Sequence, residues 1–233
     1  MNIREKLIEF IKHPRVPYFI LRRVKNISVP IARFLQYGKS NLNTKKYWDL
    51  SWTQRIKDEN SENRYLDLRK KICQIIKRDS NVLDVGCGSG MFMKMLRTEL
   101  NCSCTGIDIS DVSIDCARSR GFKGYITKLP VLPAEILKNK YDAITILETL
   151  EHLDHPGKAL IALREIMDSE GILIITVPNN CMPPSEIDEH QQIFTIESLS
   201  SLVNHYYKVD MADVVDSGGI EYILLKASFL LKD

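Results

Sequence analysis

The sequence predicts an α/β fold in which a doubly wound, mostly parallel, seven-stranded sheet is covered by helices on both faces. Three observations support this prediction. Short apolar segments of strand-forming residues alternate with helical patterns from residue 82 to residue 206. The first of these strands runs into a series of alternating glycines, which suits a turn around a ligand. Two apolar strands then follow each other near the end of the chain, which predicts an antiparallel hairpin.

The first half of the sheet is predicted from short apolar runs, separated by segments with apolar residues three or four positions apart. A helical pattern over residues 63–77 precedes it. The elements that follow are strand 82–86, helix 89–100, strand 103–108, helix 110–119 and strand 122–127. Each of these helices lies between two strands, which indicates parallel strands joined by crossover helices.

The second half continues the same alternation up to its last two strands. The predicted elements are helix 133–138, strand 141–147, helix 156–168, strand 171–177, helix 195–206 and strands 208–215 and 220–231. Gly218 and Gly219 separate the last two strands and favour a tight hairpin turn. We therefore expect the last strand of the sheet to be antiparallel.

The start of the chain differs from the rest in charge. The whole chain of 233 residues has a net charge of +2, but residues 1–46 hold eleven Lys or Arg and two Glu, a charge of +9, which leaves −7 for the remainder. We divide the chain into a basic amphipathic N-terminal arm, residues 1–46, and one main domain, residues 47–233. The arm could contact an anionic membrane or a polyanion, or it could be a solvated helix or a lid over the site. Aromatic residues just after the arm, Tyr47, Trp48 and Trp52, are expected to pack in the core.

A glycine-rich turn, Gly86-Cys87-Gly88-Ser89-Gly90, follows the first predicted strand. A dinucleotide-binding turn needs a small residue at the third position of G-x-G-x-x-G, where this chain has Met91 or Met93. A phosphate-binding P-loop needs a Gly-Lys-Ser/Thr ending, which this turn lacks. The turn therefore predicts a small-molecule site of another kind.

Two carboxylates accompany this turn. Asp84, near the end of the first strand, is costly to bury unless it pairs with a cation such as a ligand amino group. Asp108, at the end of the next strand, is placed to accept hydrogen bonds from both hydroxyls of a ribose. A ligand with an amino group at one end and a ribose in the middle fits S-adenosylmethionine.

These features resemble the class I S-adenosylmethionine-dependent methyltransferases over roughly residues 45–233. The matching parts are the glycine-rich first motif at Asp84–Gly90, the ribose-binding acid at Asp108 and the later strands at 141–147 and 171–179. The resemblance implies a Rossmann-like methyltransferase sheet that binds S-adenosylmethionine. The residues expected to contact this cofactor are Asp84, Gly86, Cys87, Gly88, Gly90, Asp108, Ile109, Leu129 and Leu147.

The residues for the reaction itself are expected in the segment 148–152, Glu-Thr-Leu-Glu-His. Methyl transfer to a hydroxyl requires that its proton be removed or its oxygen polarised. Glu148, Glu151 and His152 are three or four positions apart, so one helical turn would bring them together. His190 follows in a later loop near the same edge of the sheet. We expect Glu148, His152 and His190 to be catalytic and to face the methyl acceptor.

The E-x-x-E-H segment with a downstream histidine is similar to two groups of O-methyltransferases. They are the quinone-biosynthesis (demethylubiquinone) enzymes and the small-RNA 3′-end 2′-O-methyltransferases. Carried over by position, the metal ligands of the RNA enzymes correspond to Glu148, Glu151, His152 and His190, which would hold Mg²⁺ or Mn²⁺. The spacing to His190 is shorter than that group would predict. Without a metal, either histidine could be the base, or the cluster could only shape the pocket.

The cysteines and the hydropathy indicate a cytoplasmic protein. The six cysteines show no paired C-x-x-C spacing and are expected to be reduced. No apolar stretch approaches the roughly 20 residues needed to cross a bilayer, so membrane contact would be peripheral, through residues 1–46.

The leading hypothesis is therefore methyl transfer from S-adenosylmethionine to an oxygen of a small-molecule, glycan or lipid-like acceptor. The first alternative is 2′-O methylation of RNA, which the basic arm favours. The second is a non-enzymatic binding module that keeps the fold, against which the complete set of glycines and both aspartates argue. The acceptor is not defined, because its pocket comes from the least patterned segments of the chain.

Overall fold

The computed structural model describes residues 42–57, 63–179 and 189–230. The predicted N-terminal arm lies outside the described residues as far as residue 41, and with it the expectations of membrane or polyanion contact. In the ranges described, no helix is both long enough and apolar enough to cross a membrane.

Helices and strands alternate through most of the described chain. The helices are α1 Lys45–Arg55, α2 Leu66–Cys73, α3 Met91–Leu100, α4 Asp111–Ser119, α5 Ala134–Leu137, α6 Pro156–Arg164 and α7 Ile196–Asn204. The strands are β1 Asn81–Val85, β2 Ser103–Asp108, β3 Lys123–Ile126, β4 Tyr141–Leu147, β5 Met167–Pro178, β6 Tyr207–Ser217 and β7 Ile220–Phe229. Short 3₁₀ turns lie at Asn63–Tyr65 and Leu150–His152.

The seven strands form one sheet in the order β3-β2-β1-β4-β5-β7-β6. The first five of these are parallel, whereas β7 is antiparallel to both β5 and β6. The predicted mostly parallel sheet with an antiparallel last strand is confirmed. The chain leaves β1 towards β2 and β3 and then returns to β4 on the other side. Such a reversal opens a crevice at the carboxyl ends of β1 and β4, where ligands bind in sheets of this kind.

Both faces of the sheet are buried, as the alternating pattern predicts. Along β1, Leu83 belongs to an apolar cluster that includes residues of α6 and α7. Its neighbour Val82 points to the opposite face and belongs to a second cluster that includes residues of α2, α3 and α4. The two clusters hold the central strands rigidly, so the residues at their carboxyl ends have fixed positions.

Two predicted helices end several residues early, and one observed helix was not predicted. The predicted helix 63–77 starts as a 3₁₀ turn, and α2 ends at Cys73. The predicted helix 156–168 ends at Arg164, because Met167 already pairs with Tyr141 in the sheet. The third difference is α1, which was not predicted because Trp48 is its one buried residue and its apolar periodicity is weak. Its start at Lys45 places the predicted boundary after residue 46 inside a helix.

Candidate active site

The glycine turn after β1 is tightly constrained. Gly86, Gly88 and Gly90 have φ angles of 71°, 53° and 81°, in the left-handed region that favours glycine. The amides of Gly86 and Cys87 donate to the carbonyl oxygen of Ile107 in β2, at 2.8 and 3.1 Å. A Cβ atom on Gly88 would lie closer than 3.0 Å to the ring of Trp52 in α1. The backbone of this turn is therefore fixed by β2 on one side and covered by α1 on the other.

Both predicted carboxylates are buried at this edge of the sheet. Asp84 is 3% exposed and accepts a hydrogen bond from the hydroxyl of Thr145 at 2.7 Å. Asp108 accepts from the amides of Gly88 at 3.0 Å and Ser110 at 2.9 Å. Burial raises the pKa of Asp108, although these amides favour its charged form. A carboxylate oxygen has two lone pairs, so Asp108 can accept further hydrogen bonds from a ligand.

A cavity of about 600 Å³ runs along the carboxyl ends of the strands, a volume suited to a small-molecule ligand. Eight of the nine residues expected to contact the cofactor line it: Asp84, Gly86, Cys87, Gly88, Asp108, Ile109, Leu129 and Leu147. The ninth, Gly90, lies outside the lining at the start of α3, where a Cβ atom would lie 3.1 Å from that of Ala117. Gly90 thus allows α3 to pack closely against α4.

Helix α1 forms one wall of this cavity, through Trp48 and Trp52. The side chain of Asp49 in α1 accepts from the hydroxyl of Ser110 at 2.7 Å, next to Asp108. Lys45 forms ion pairs with Asp49 and with Asp111 in α4. Trp48 is buried, as expected for a core residue, and both tryptophans also line the cavity.

The spacing predicts that Glu148 shares a helical turn with Glu151 and His152, and this prediction is wrong. Glu148 has a φ of 49°, and the 3₁₀ turn begins only at Leu150. The amide of Glu148 donates to the carbonyl oxygen of Thr176 in β5 at 3.0 Å, and its carboxylate accepts from the hydroxyl of Thr176 at 3.1 Å. Glu148 therefore lines the cavity beside β5, outside the group of side chains that could hold a metal ion.

Glu151, His152 and His190 do come together. All three are buried, and their potential ligand atoms lie within 4.8 Å of one another. The rings of the two histidines are 4.9 Å apart and meet edge to face. Nδ1 of His152 lies 3.1 Å from the carbonyl oxygen of Glu189, which can only accept a hydrogen bond, so this nitrogen carries the proton. Nε2 of His152 is left with its lone pair, 3.7 Å from Oε1 of Glu151.

Burial dominates the titration of this group. It raises the pKa of Glu151 well above the usual range, and the negative charge of Glu148 raises it further. Burial, followed by the neighbouring His190, lowers the pKa of His152 to about 3. The imidazole of His152 is therefore neutral at pH 7. The other carboxylate oxygen of Glu151, Oε2, is buried without a hydrogen-bond partner among the described residues.

Several residues at this end of the cavity were not expected from the sequence. Glu189, beside the predicted His190, accepts from the hydroxyl of Tyr47 at 3.1 Å, and its carboxylate lies 4.0 Å from the guanidinium of Arg55. Trp48 meets the ring of His152 edge to face at 4.8 Å. Tyr47 and Glu189 are 142 positions apart, so no local pattern in the sequence could have paired them.

The structure also locates the cysteines and a surface histidine. Five cysteines lie in the described ranges and all are free, as predicted for a reduced protein, while Cys181 lies outside them. His205 lies at the surface, where its Nδ1 is 2.6 Å from the carbonyl oxygen of Ser201. Of the five cysteines Cys87 lines the cavity, whereas the other four and His205 do not.

Comparison with known proteins adds a family and two named relatives. A family model described as a methyltransferase domain matches residues 57–209, well over half of the chain. The ubiquinone biosynthesis O-methyltransferase of Shewanella pealeana is 27% identical over 103 residues, covering 42% of this chain and 43% of that protein. The mitochondrial ubiquinone biosynthesis O-methyltransferase of Schizosaccharomyces pombe is 26% identical over 193 residues, covering 76% and 66%. The chain thus spans less than half the length of the first of these relatives.

Among solved structures, N-methyltransferase NodS from Bradyrhizobium japonicum, in complex with S-adenosyl-L-homocysteine, superimposes with a TM-score of 0.62. The match covers 78% of this chain and 98% of that one, at 16% sequence identity. At this level of identity the likeness concerns the fold.

Proposed function

Since the chain belongs to the methyltransferase domain family and is an S-adenosylmethionine-dependent methyltransferase, we propose that it transfers the methyl group to an oxygen of a small-molecule acceptor. The names of the two ubiquinone biosynthesis relatives support oxygen as the acceptor atom. The observation that carries the proposal is one cavity with a cofactor end at Asp84 and Asp108 and a polar end at Glu148, His152 and His190.

At the cofactor end, the carboxylate of Asp84 would bind the amino group of S-adenosylmethionine. Asp108, held by the amides of Gly88 and Ser110, would accept hydrogen bonds from the ribose hydroxyls. The left-handed glycines allow the cofactor to lie directly against the backbone. Such contacts would leave the sulfonium methyl group between the glycine turn and the polar end of the cavity.

At the polar end, the acceptor hydroxyl would lie in line with the methyl–sulfur bond. That bond breaks as the methyl–oxygen bond forms, and the thioether S-adenosylhomocysteine leaves. Positioning supplies much of the rate, because the sulfonium already activates the methyl carbon. The proton of the hydroxyl needs an acceptor, and we assign this role to Glu148, whose carboxylate lines the cavity.

Glu151, His152 and His190 would hold a divalent cation. The set fits a cation because Nε2 of the neutral His152 lies 3.7 Å from Oε1 of Glu151, and the buried Oε2 of Glu151 has no hydrogen-bond partner among the described residues. Two imidazoles and one carboxylate favour Mn²⁺ over Mg²⁺. When bound, such a cation supplies Lewis acidity that polarises the acceptor oxygen.

The cofactor assignment is tested by the binding of labelled S-adenosylmethionine to Asp108→Ala. We expect binding to fall below detection, because alanine removes the carboxylate that would accept both hydrogen bonds from the ribose hydroxyls. Asp115→Ala, which removes an exposed carboxylate of α4, is the matched control and should bind normally. Normal binding by Asp108→Ala would refute the assignment.

The metal assignment is tested by titrating Mn²⁺ into the protein and into Glu151→Gln, with bound Mn²⁺ followed by electron paramagnetic resonance. Loss of one site in Glu151→Gln is expected, and Glu170→Gln, at an exposed position of β5, should retain it. Equal Mn²⁺ binding by all three proteins would exclude this cluster as the site.

A further inference from the structure

Two threonines inside the sheet each donate a hydrogen bond to a carboxylate of the site. Thr145 in β4 donates to Oδ1 of Asp84 at 2.7 Å, and Thr176 in β5 donates to Oε1 of Glu148 at 3.1 Å. Both threonines are completely buried. The same arrangement thus occurs twice, once at the cofactor end and once at the acceptor end of the cavity.

The register of the sheet explains why these contacts are possible. Thr145 is the direct partner of Asp84 across the β1–β4 pair, so the two side chains leave the sheet on the same side. Thr176 is the direct partner of Leu147 across the β4–β5 pair, and Glu148 follows Leu147 at the end of β4. The rigid central strands therefore set the position of each hydroxyl relative to its carboxylate.

The chemistry of the positions points to the hydroxyls rather than to packing. Valine has the same branched shape as threonine and a high preference for strands, and it needs no hydrogen bond when it is buried. A buried hydroxyl is costly unless it is hydrogen-bonded. The hydroxyl of Thr145 is also within 3.5 Å of the carbonyl oxygen of Leu83, but the shorter contact is to the carboxylate.

We infer that Thr145 and Thr176 are positioning residues that divide the site into two independently oriented halves. Thr145 occupies one oxygen of Asp84, which directs the other towards the amino group of the cofactor. Thr176 orients the carboxylate of Glu148 towards the acceptor hydroxyl. The inference rests on the proposed function, in which Asp84 binds the cofactor and Glu148 accepts the proton.

The first test measures the affinity for S-adenosylhomocysteine by titration calorimetry, because this ligand carries the same amino group and needs no acceptor. We expect Thr145→Val to weaken binding about five- to tenfold, the usual worth of one hydrogen bond, and Thr145→Ser to restore it. Thr176→Val should bind within about twofold of the wild type. Thr105→Val, a buried threonine of β2 outside the cavity lining, reports the general effect of removing such a hydroxyl.

Asp84→Asn separates this inference from the proposed function. If Asp84→Asn binds S-adenosylhomocysteine normally, the cofactor assignment itself is wrong. If Asp84→Asn weakens binding while Thr145→Val behaves like Thr105→Val, the assignment stands and the positioning role is overturned. Equal weakening by Thr145→Val and Thr176→Val would also overturn the division into two halves.

The second test concerns Thr176 and does not need an identified acceptor. The unfolding equilibrium is measured in urea for Thr176→Val, Glu148→Gln and the double variant. If the two side chains are hydrogen-bonded, the double variant should change the unfolding equilibrium constant about fivefold less than the product of the two single effects. Thr176→Ser should behave like the wild type. Simple multiplication of the two effects would refute the contact between Thr176 and Glu148.

Discussion

Replacement of Gly88 by alanine tests whether α1 covers the glycine turn. Gly88 has a left-handed φ of 53°, which costs alanine about 1–2 kcal/mol. The new Cβ atom would lie closer than 3.0 Å to two carbons of the Trp52 ring, and such overpacking costs about 1–3 kcal/mol. Alanine also restricts the unfolded chain, which returns about 0.4–1 kcal/mol. We therefore expect Gly88→Ala to lower the free energy of unfolding in urea by roughly 1.5–4 kcal/mol.

The two contributions can be separated by a second glycine. Gly219 has a φ of 77° in the β6–β7 turn, but a Cβ atom there would meet no atom within 4 Å. Gly219→Ala therefore reports the backbone cost alone, and Gly88→Ala should exceed it by about 1–3 kcal/mol. This excess should disappear when Trp52 is also replaced by alanine. An excess that persists without the indole, or no excess at all, would refute the packing of α1 on the turn.

The remaining predictions concern pH and the basic arm. Burial raises the pKa of Cys104 to about 12 and that of Cys73 to about 11, from 9.0. Both thiols stay protonated in the folded protein while the unfolded chain ionises, so their contribution to stability is complete below pH 9 and is lost as the pH rises towards 11 and 12. Urea unfolding between pH 7 and 11 should show a shallower decline for the double variant Cys73→Ala/Cys104→Ala than for the wild type. For the RNA alternative, retention of labelled RNA on a filter should fall with salt and vanish on deletion of the basic arm, residues 1–46. If the acceptor is a small molecule instead, the retention of RNA should be the same with and without these residues.

The sequence predicted the sheet well, and it placed Asp84 and Asp108 at one edge of that sheet, because both features depend on local patterns. Strand β4 begins and ends as predicted, because a short apolar run between polar residues is typical of a strand that is buried on both faces of a parallel sheet. Asp84 and Asp108 lie at the ends of neighbouring strands, and the register of a parallel sheet brings such ends together. A motif at the end of a parallel strand therefore also predicts where its residues lie in the fold.

The acceptor end could not be predicted to the same degree, because it depends on contacts between distant segments. Spacing alone placed Glu148 with Glu151 and His152, but the left-handed conformation of Glu148 directs it to Thr176 instead. A left-handed residue that is not glycine has no clear signature in a sequence. Helix α1 was missed for a related reason: polar contacts hold it against the domain, among them the hydrogen bond from Ser110 to Asp49.

Helix α1 contacts both ends of the cavity. Asp49 contacts Ser110 beside Asp108, while Trp48 contacts His152 at the other end of the cavity. A change in α1 therefore disturbs both ends, whereas Thr145 and Thr176 each contact one carboxylate. Helix α1 is fixed to the domain by polar contacts and by its two tryptophans, and it thereby connects the two ends of the cavity. Substitutions in α1 should accordingly alter cofactor affinity and acceptor turnover together, which distinguishes them from substitutions of the two threonines.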